Sequence, residues 1–273
     1  GPQQCVKLLN NFFGEMTEVI QHFKGTVDEF VGDGILVIFG APLSDKDDCD
    51  RALACAVAMQ LAIKDVNARN RADDLPEISM GIGLNTGDVV AGNVGSELRS
   101  KYGVVGHNVN LTARIESCTV GGQILAAPAT LAAAAIEILS GDSVPVSLKG
   151  MGSALELTEI LGVGIPYDLL LTPSLDDWQL CRTKMRLDLT LMAGKQTASN
   201  QYSVALDARA GERLRITSSE ALPMLADVSI DGFDVACYAK ITARSPGLEC
   251  HYILTLTSTS SELARVLQGA FSQ

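Results

Sequence analysis

Residues Thr26–Val31 and Ile35–Phe39 are two short β-rich runs separated only by Gly32-Asp33-Gly34. This spacing leaves the chain few options. Two apolar, β-branched runs joined by a glycine-flanked Asp satisfy their backbone groups by folding back on each other as a tight hairpin. Asp33 then sits at the tip. A carboxylate there is exposed and open to approach, which suits a hard oxygen ligand for Mg²⁺ or Mn²⁺. The same Asp-Gly pair also makes a plain turn, and the tip alone does not decide between the two.

Around this hairpin the pattern alternates. Residues 5–22 place Val6, Leu9, Phe13, Met16 and Ile20 at spacings of three and four, which predicts an amphipathic helix closed by Gly25. Asp45, Asp47 and Asp48 precede an Ala-rich helical pattern, where acidic side chains suit the positive end of the helix dipole. Residues 77–84, 88–91 and 101–105 read as strands, 107–118 as a helix, Gln123–Ala127 as a strand and 128–138 as a helix. Helices alternating with strands over 1–163 predict an α/β or α+β domain. Residues 164–177, with Pro166 and Pro173, read as a linker. After about 190 the pattern changes to Tyr202–Leu206, Arg213–Thr217, Val235–Thr242 and Tyr252–Leu256, which predicts a small antiparallel β-domain over 178–273. Residues 261–269 read as a closing helix.

Charge narrows the partners. The 273 residues carry a net charge of −11, so no general basic footprint for DNA or RNA exists. The excess is uneven: residues 174–273 hold 10 basic and 11 acidic side chains, and the remaining −10 lies in 1–173. A near-neutral segment with clustered arginines can accept an anion inside an acidic chain. The seven cysteines are scattered without a C-x-x-C pair, which argues against zinc and fits reduced thiols in a cytoplasmic protein. No apolar run approaches the roughly 20 residues that span a bilayer, and no signal peptide is visible. The opening Gly1-Pro2 has the form of a protease scar, so an upstream membrane or sensor region stays open.

Chemistry concentrates further along. Asn85-Thr86-Gly87-Asp88-Val89-Val90-Ala91-Gly92-Asn93-Val94-Gly95 is followed by Tyr102-Gly103-Val104-Val105-Gly106-His107-Asn108-Val109-Asn110-Leu111-Thr112-Ala113-Arg114-Ile115-Glu116. Asn110 and Arg114 are four apart at the head of a helix and share a face. An amide that can hold a ribose and a guanidinium that can clamp a phosphate project together. Lys149, before Gly150, could add a second phosphate cation. Each of these cations alone is as often a surface charge in solvent.

The ordered set FVGDG, GDVVAGNVGS, GHNVNLTARIES and the late Lys-Gly resembles the class III adenylate/guanylate cyclase catalytic domain, over about 60% of the chain. The resemblance selects α+β and implies a ferredoxin-like cyclase fold that turns GTP or ATP into the 3′,5′-cyclic nucleotide and pyrophosphate, with Mg²⁺ or Mn²⁺. It implies Asp33 as one of two metal aspartates, Asn110 as the ribose-orienting residue, Arg114 as the transition-state arginine and Lys149 as the triphosphate lysine. It also implies a homodimer, with metal and specificity residues of one subunit facing the Asn and Arg of the other. Two positions select the purine. Glu29 goes with GTP in this family, where Lys goes with ATP. The second position, Gly103, usually carries Asp or Thr for ATP, or Cys or Ser for GTP, and here offers no side chain. The balance leans to GTP, and the unusual Glu29/Gly103 pair also permits a pyrimidine cyclase. One departure matters more. The family's other metal aspartate lies on a strand before the first helix, and no residue here takes that role. The sequence is therefore expected to be shortened at its start, and as written weakly active or inactive. The alternative is a catalytically silent cyclase-like receptor or scaffold.

In the last third, Arg182-Thr-Lys-Met-Arg186 forms an R-x-x-x-R pattern, and Asp227-Val-Ser229-Ile-Asp-Gly232 a D-x-S-x-x-G pattern. In this order, around a β-rich segment, they resemble PilZ domains, β-barrels that bind cyclic di-GMP. The resemblance implies Arg182 and Arg186 on the phosphates and guanine faces, and Asp227, Ser229 and Gly232 near a guanine. The plainer alternative is a dimerisation module with the two arginines one turn apart on a solvated helix.

Overall fold

The computed structural model describes residues 1–96, 99–148, 153–171, 177–193, 196–244 and 251–271. The chain divides into two compact units, Gly1–Pro173 and Ser174–Gln273.

In the first unit α1 (Pro2–His22) leads into the hairpin of β1 (Thr26–Val31) and β2 (Gly34–Ile38), followed by α2 (Asp48–Ala72) and β3 (Ile82–Leu84). A second hairpin, β4 (Val90–Ser96) and β5 (Arg99–Val105), precedes α3 (His107–Glu116), β6 (Ile124–Ala126), α4 (Pro128–Ala133), β7 (Ile138–Val146), β8 (Leu155–Val163) and β9 (Leu169–Leu170). The main sheet runs β3-β6-β8-β7, with β9 on β8. β9 lies within the stretch expected to be a linker. Leu169 and Leu170 instead pair with Val163 and Gly162, so this part of the chain belongs to the sheet.

The predicted stripe of α1 is buried at Met16 and Ile20, while Val6 is 57% exposed. α2 is buried over the continuous run Leu53–Val57 because it is packed against both α1 and β8. Small residues such as Ala54, Cys55 and Ala56 let the two neighbours approach closely. Burial pushes the Cys55 thiol up to about 12, so it stays neutral and unreactive at mildly alkaline pH. We expect iodoacetamide at pH 8.5 to label exposed Cys5 and spare Cys55 until the protein unfolds. Peptide mass spectrometry reads this directly, and comparable labelling of both would contradict the packing.

The acidic residues before α2 do more than suit its dipole. The Arg51 side chain is 8% exposed and reaches Asp47 at 2.9 Å and also Asp48. It donates to the Phe23 carbonyl at 2.9 Å as well, tying α2 to the end of α1. Burial works against its charge, but the hydrogen bond it donates to Asp47 and the charges of Asp47, Asp48 and Asp45 raise its pKa above the usual value.

Two sequence expectations give way to identifiable contacts. The strand expected over 77–84 is confined to Ile82–Leu84. Asn67 pairs with both backbone groups of Ile78, at 2.9 and 2.8 Å, occupying groups a ladder would need. The helix expected over 128–138 stops at Ala133. Asp50 accepts the Ala135 N–H at 2.8 Å and turns the chain into β7. β7 itself carries Pro145, which hides it from a pattern search and is tolerated because β7 is an edge strand. The ferredoxin-like expectation holds only in part. The β1-β2 hairpin is its own two-stranded sheet, since no described strand bridges it to β3.

The second unit is a closed antiparallel barrel in the order β10-β11-β12-β15-β14-β13. Its strands are β10 (Gln179–Ala193), β11 (Gln196–Ala210), β12 (Arg213–Ser218), β13 (Asp227–Ile230), β14 (Cys237–Arg244) and β15 (His251–Ser258), with α5 (Ser261–Phe271) at the end. Inward residues alternate with outward ones, as in Leu187 and Leu189, Leu214 and Ile216, and Val228 and Ile230, all buried. α5 buries Leu263 and Leu267 in the same core. Tyr252 is 1% exposed, and its hydroxyl accepts the Leu222 N–H at 3.2 Å. Closure removes the sheet edges. No described helix is long and apolar enough to cross a membrane.

Candidate active site

The β1-β2 hairpin pairs Val31 with Gly34, leaving Gly32-Asp33 as a two-residue loop. Gly32 has φ +65°, the left-handed first position of a II′-type turn. Asp33 is thereby held exposed at the tip, with no hydrogen bond or ion pair among the described residues. A single carboxylate of this kind fits Mg²⁺ or Mn²⁺ shared with a triphosphate, which such ions take through one or two carboxylates plus phosphate oxygens. It does not make a metal site alone, and no group of three or more His, Cys, Asp or Glu able to hold an ion occurs among the described residues.

α3 carries the second set. Leu111 and Ile115 are buried and anchor the helix, while Asn110 is exposed and Arg114 half-buried on the adjoining face. Neither Asn110 nor Arg114 has a side-chain partner among the described residues. Two close approaches fix the helix. A Cβ on Gly83 would lie 2.4 Å from the Glu116 backbone nitrogen, so β3 and α3 touch backbone to backbone. Asn108 Nδ2 donates to the Asp88 carbonyl at 2.9 Å, and Asn85 Nδ2 donates to Asn108 Oδ1 at 3.3 Å, binding the 85–88 loop to the head of α3. The α3 set and the hairpin are built on different neighbours: α3 on β3 and β6, the hairpin on α1 and β5.

The two positions that the resemblance assigns to purine selection lie on the neighbouring strands β1 and β5. Lys101 Nζ lies 3.2 Å from Glu29 Oε1, both side chains about half exposed. Gly103 is two residues on from Lys101, on the same face of β5, and a Cβ there would lie 3.2 Å from Asp28 Oδ1. Lys149 lies outside the described residues.

Sequence reasoning missed Lys101, Asp28, Asn108 and Gly83. Lys101 was accessible from the period-two spacing to Gly103. The others depend on contacts between elements distant in sequence.

On the barrel, Arg182 and Arg186 lie on strand β10, which corrects the helical alternative. The local reason is alternation: Leu187 and Leu189 enter the core, which turns Arg186, Asp188 and Thr190 outward. Thr190 pairs with Ser229 on β13, so both motifs lie on adjacent strands. Their polar groups are largely engaged. Asp227 sits 3.5 Å from Lys240, and Ser229 and Thr190 donate to Asp231 at 3.0 and 2.6 Å. Gly232 follows with φ +90°. Arg186 borders a shallow depression with Ser203, Thr217 and Ser219. A neighbouring one holds Asp188 and Asp231.

Comparison with known proteins adds an independent line. The family model for the adenylate and guanylate cyclase catalytic domain matches residues 1–156. The crystal structure of the guanylyl cyclase Cya2 is 52% identical, covers 63% of this chain and 87% of that one, and superposes with a TM-score of 0.62. The adenylyl cyclase CyaB from P. aeruginosa is 31% identical over 57% of this chain and 81% of its own, with a TM-score of 0.52. Adenylate cyclase 1 of Rhizobium meliloti is 30% identical over 59% of this chain, and the match spans 25% of that longer protein. The family match spans more than half of the chain, and the chain belongs to the adenylate and guanylate cyclase catalytic domain family.

Proposed function

We propose that this chain is the catalytic part of a purine nucleotide cyclase that favours GTP and also accepts ATP. The observation that carries the reading is the α3 face, where Asn110 and Arg114 stand side by side with no side-chain partner among the described residues. In the reaction the 3′-oxygen forms a bond to the α-phosphorus, the bond to the β-phosphate oxygen breaks, and pyrophosphate and the hydroxyl proton leave. Asn110 orients the ribose by hydrogen bonding. Arg114 faces the charge that grows as pyrophosphate departs, where a preorganised cation lowers the barrier most. Asp33 would hold Mg²⁺ or Mn²⁺, which activates the hydroxyl and neutralises the triphosphate when bound. Lys149 would add a cation for the triphosphate.

A homodimer completes this site. Asp33 and Glu29 belong to the hairpin and Asn110 and Arg114 to α3, so a second copy bringing one set to the other satisfies both. The β4-β5 hairpin supplies apolar surface for that contact, with Val90 69%, Val94 47% and Val105 46% exposed. Sedimentation at micromolar concentration should give a dimer.

Glu29 selects the base. A carboxylate accepts from guanine N1–H and the N2 amine, which adenine cannot offer. Glu29→Lys places an ammonium there, beside Lys101, and should lower the GTP:ATP preference about tenfold or more, since each hydrogen bond to a charged group carries about 1.5–3 kcal/mol. An unchanged ratio would reject the assignment. Incubation of the full-length protein with each nucleotide and Mn²⁺, followed by product separation, tests the activity itself. Nucleotide binding without product would favour the silent-receptor alternative.

For the barrel we propose a PilZ-like regulatory module that takes cyclic di-GMP through Arg182 and Arg186. The exposed Arg186 beside a shallow depression supports it, because arginine pairs bidentately with phosphate. Calorimetric titration with cyclic di-GMP should show binding that Arg182→Ala loses. No heat of binding would leave the barrel as a protein-contact module.

A further inference from the structure

The β1 strand contains a break in register between Val27 and Glu29, and the extra residue is Asp28. In a regular strand, residues 28 and 29 point to opposite faces. A bulge re-aims one side chain, and bulges concentrate beside active sites. Here the consequence is visible on β5. Glu29 reaches Lys101, and Asp28 reaches the space over Gly103, so consecutive carboxylates address residues on the same face of the same neighbouring strand. Gly103 is buried, and the room that a side chain at 103 would occupy is filled by the Asp28 carboxylate, 3.2 Å from the Cβ position. Asp28 is half-buried and has no hydrogen bond or ion pair among the described residues, whereas its neighbour Glu29 has Lys101. A half-buried carboxylate without a partner is costly unless something arrives to donate to it.

Resting on the cyclase reading, we propose that Asp28 is the second purine-selecting residue of this chain and takes the place of the side chain that Gly103 lacks. Its oxygens and those of Glu29 present acceptors only. Guanine meets them with N1–H and N2–H₂, adjacent donors on one edge. Adenine meets them with one amine and the N1 lone pair, so acceptor faces acceptor. The pair therefore favours GTP by attraction and disfavours ATP by repulsion, the two routes by which specificity arises.

The test uses the full-length protein and a fluorescent GTP analogue displaced by unlabelled GTP or ATP, with cyclic product measured on the same samples. Wild type should bind GTP more tightly than ATP. Asp28→Ala should reduce that preference about tenfold, as expected for loss of hydrogen bonds to a charged acceptor. Asp28→Asn keeps the shape and adds a donor for adenine N1, so it should reduce the preference further than Ala does. Asp28→Ala combined with Gly103→Ser should recover part of it, because the hydroxyl returns an acceptor to the same space. A preference within twofold of wild type in both single variants would overturn the proposal, as would tighter binding of ATP than GTP by wild type. The two readouts separate the two ideas. Ratios that move as expected without cyclic product would sink the cyclase reading and leave Asp28 as a base-selecting residue. Product formed at an unmoved ratio would do the reverse.

Discussion

Arg114→Ala should lower cyclase kcat about a thousandfold while changing KM little, in line with the effect of single arginines on phosphoryl transfer. The expectation follows from where its charge is needed. Pyrophosphate gains negative charge only as it leaves, so a cation placed for that moment stabilises the transition state more than bound substrate. Arg114 suits this because it is held by the α3 backbone, with Leu111 and Ile115 buried beneath it, and is not engaged by a carboxylate of its own subunit among the described residues. Asp33→Ala should also abolish turnover, with a different signature: raising the Mn²⁺ concentration should recover part of its activity and none of that lost in Arg114→Ala. Near-normal turnover in a folded Arg114→Ala protein would remove α3 from the chemistry.

Gly83→Ala should cost about a hundredfold in activity although residue 83 touches no substrate. The added methyl would lie 2.4 Å from the Glu116 backbone nitrogen, and backbone cannot rotate away as a side-chain tip can. α3 must shift, carrying Asn110 and Arg114 with it, and a displacement of about 1 Å in a positioning element costs about 10²-fold in rate. The protein should also lose about 1–3 kcal/mol of stability, the usual cost of overpacking. The informative comparison is kcat against melting temperature at assay conditions. A folded Gly83→Ala protein with full activity would show that α3 tolerates displacement.

The sequence revealed the hairpin because a glycine-flanked Asp between β-branched runs has one economical solution, and Asn110 and Arg114 because helical spacing puts i and i+4 together. The barrel was visible in outline from alternation alone. Other features depended on distant partners. Asp50 ends α4 by capturing backbone from 85 residues away in sequence. Asn67 shortens β3 by taking both backbone groups of Ile78. β10 stayed open because its two arginines also fit a helical period as the alternative, and the burial of Leu187 and Leu189 fixes it as a strand. The bulge at Asp28 leaves no mark in the sequence, since it arises from the register of β1 against β2.

The proposed activity is cyclisation of a purine nucleotide through the Asn110–Arg114 face. The direct test is chromatographic separation of products after incubating the full-length protein with GTP and with ATP in the presence of Mn²⁺, beside its Arg114→Ala variant. Wild type should give 3′,5′-cyclic GMP and pyrophosphate in equal amounts and less cyclic AMP from ATP, and the variant should give neither. Cyclic product formed equally by wild type and variant, or none from a protein that binds GTP, would contradict it.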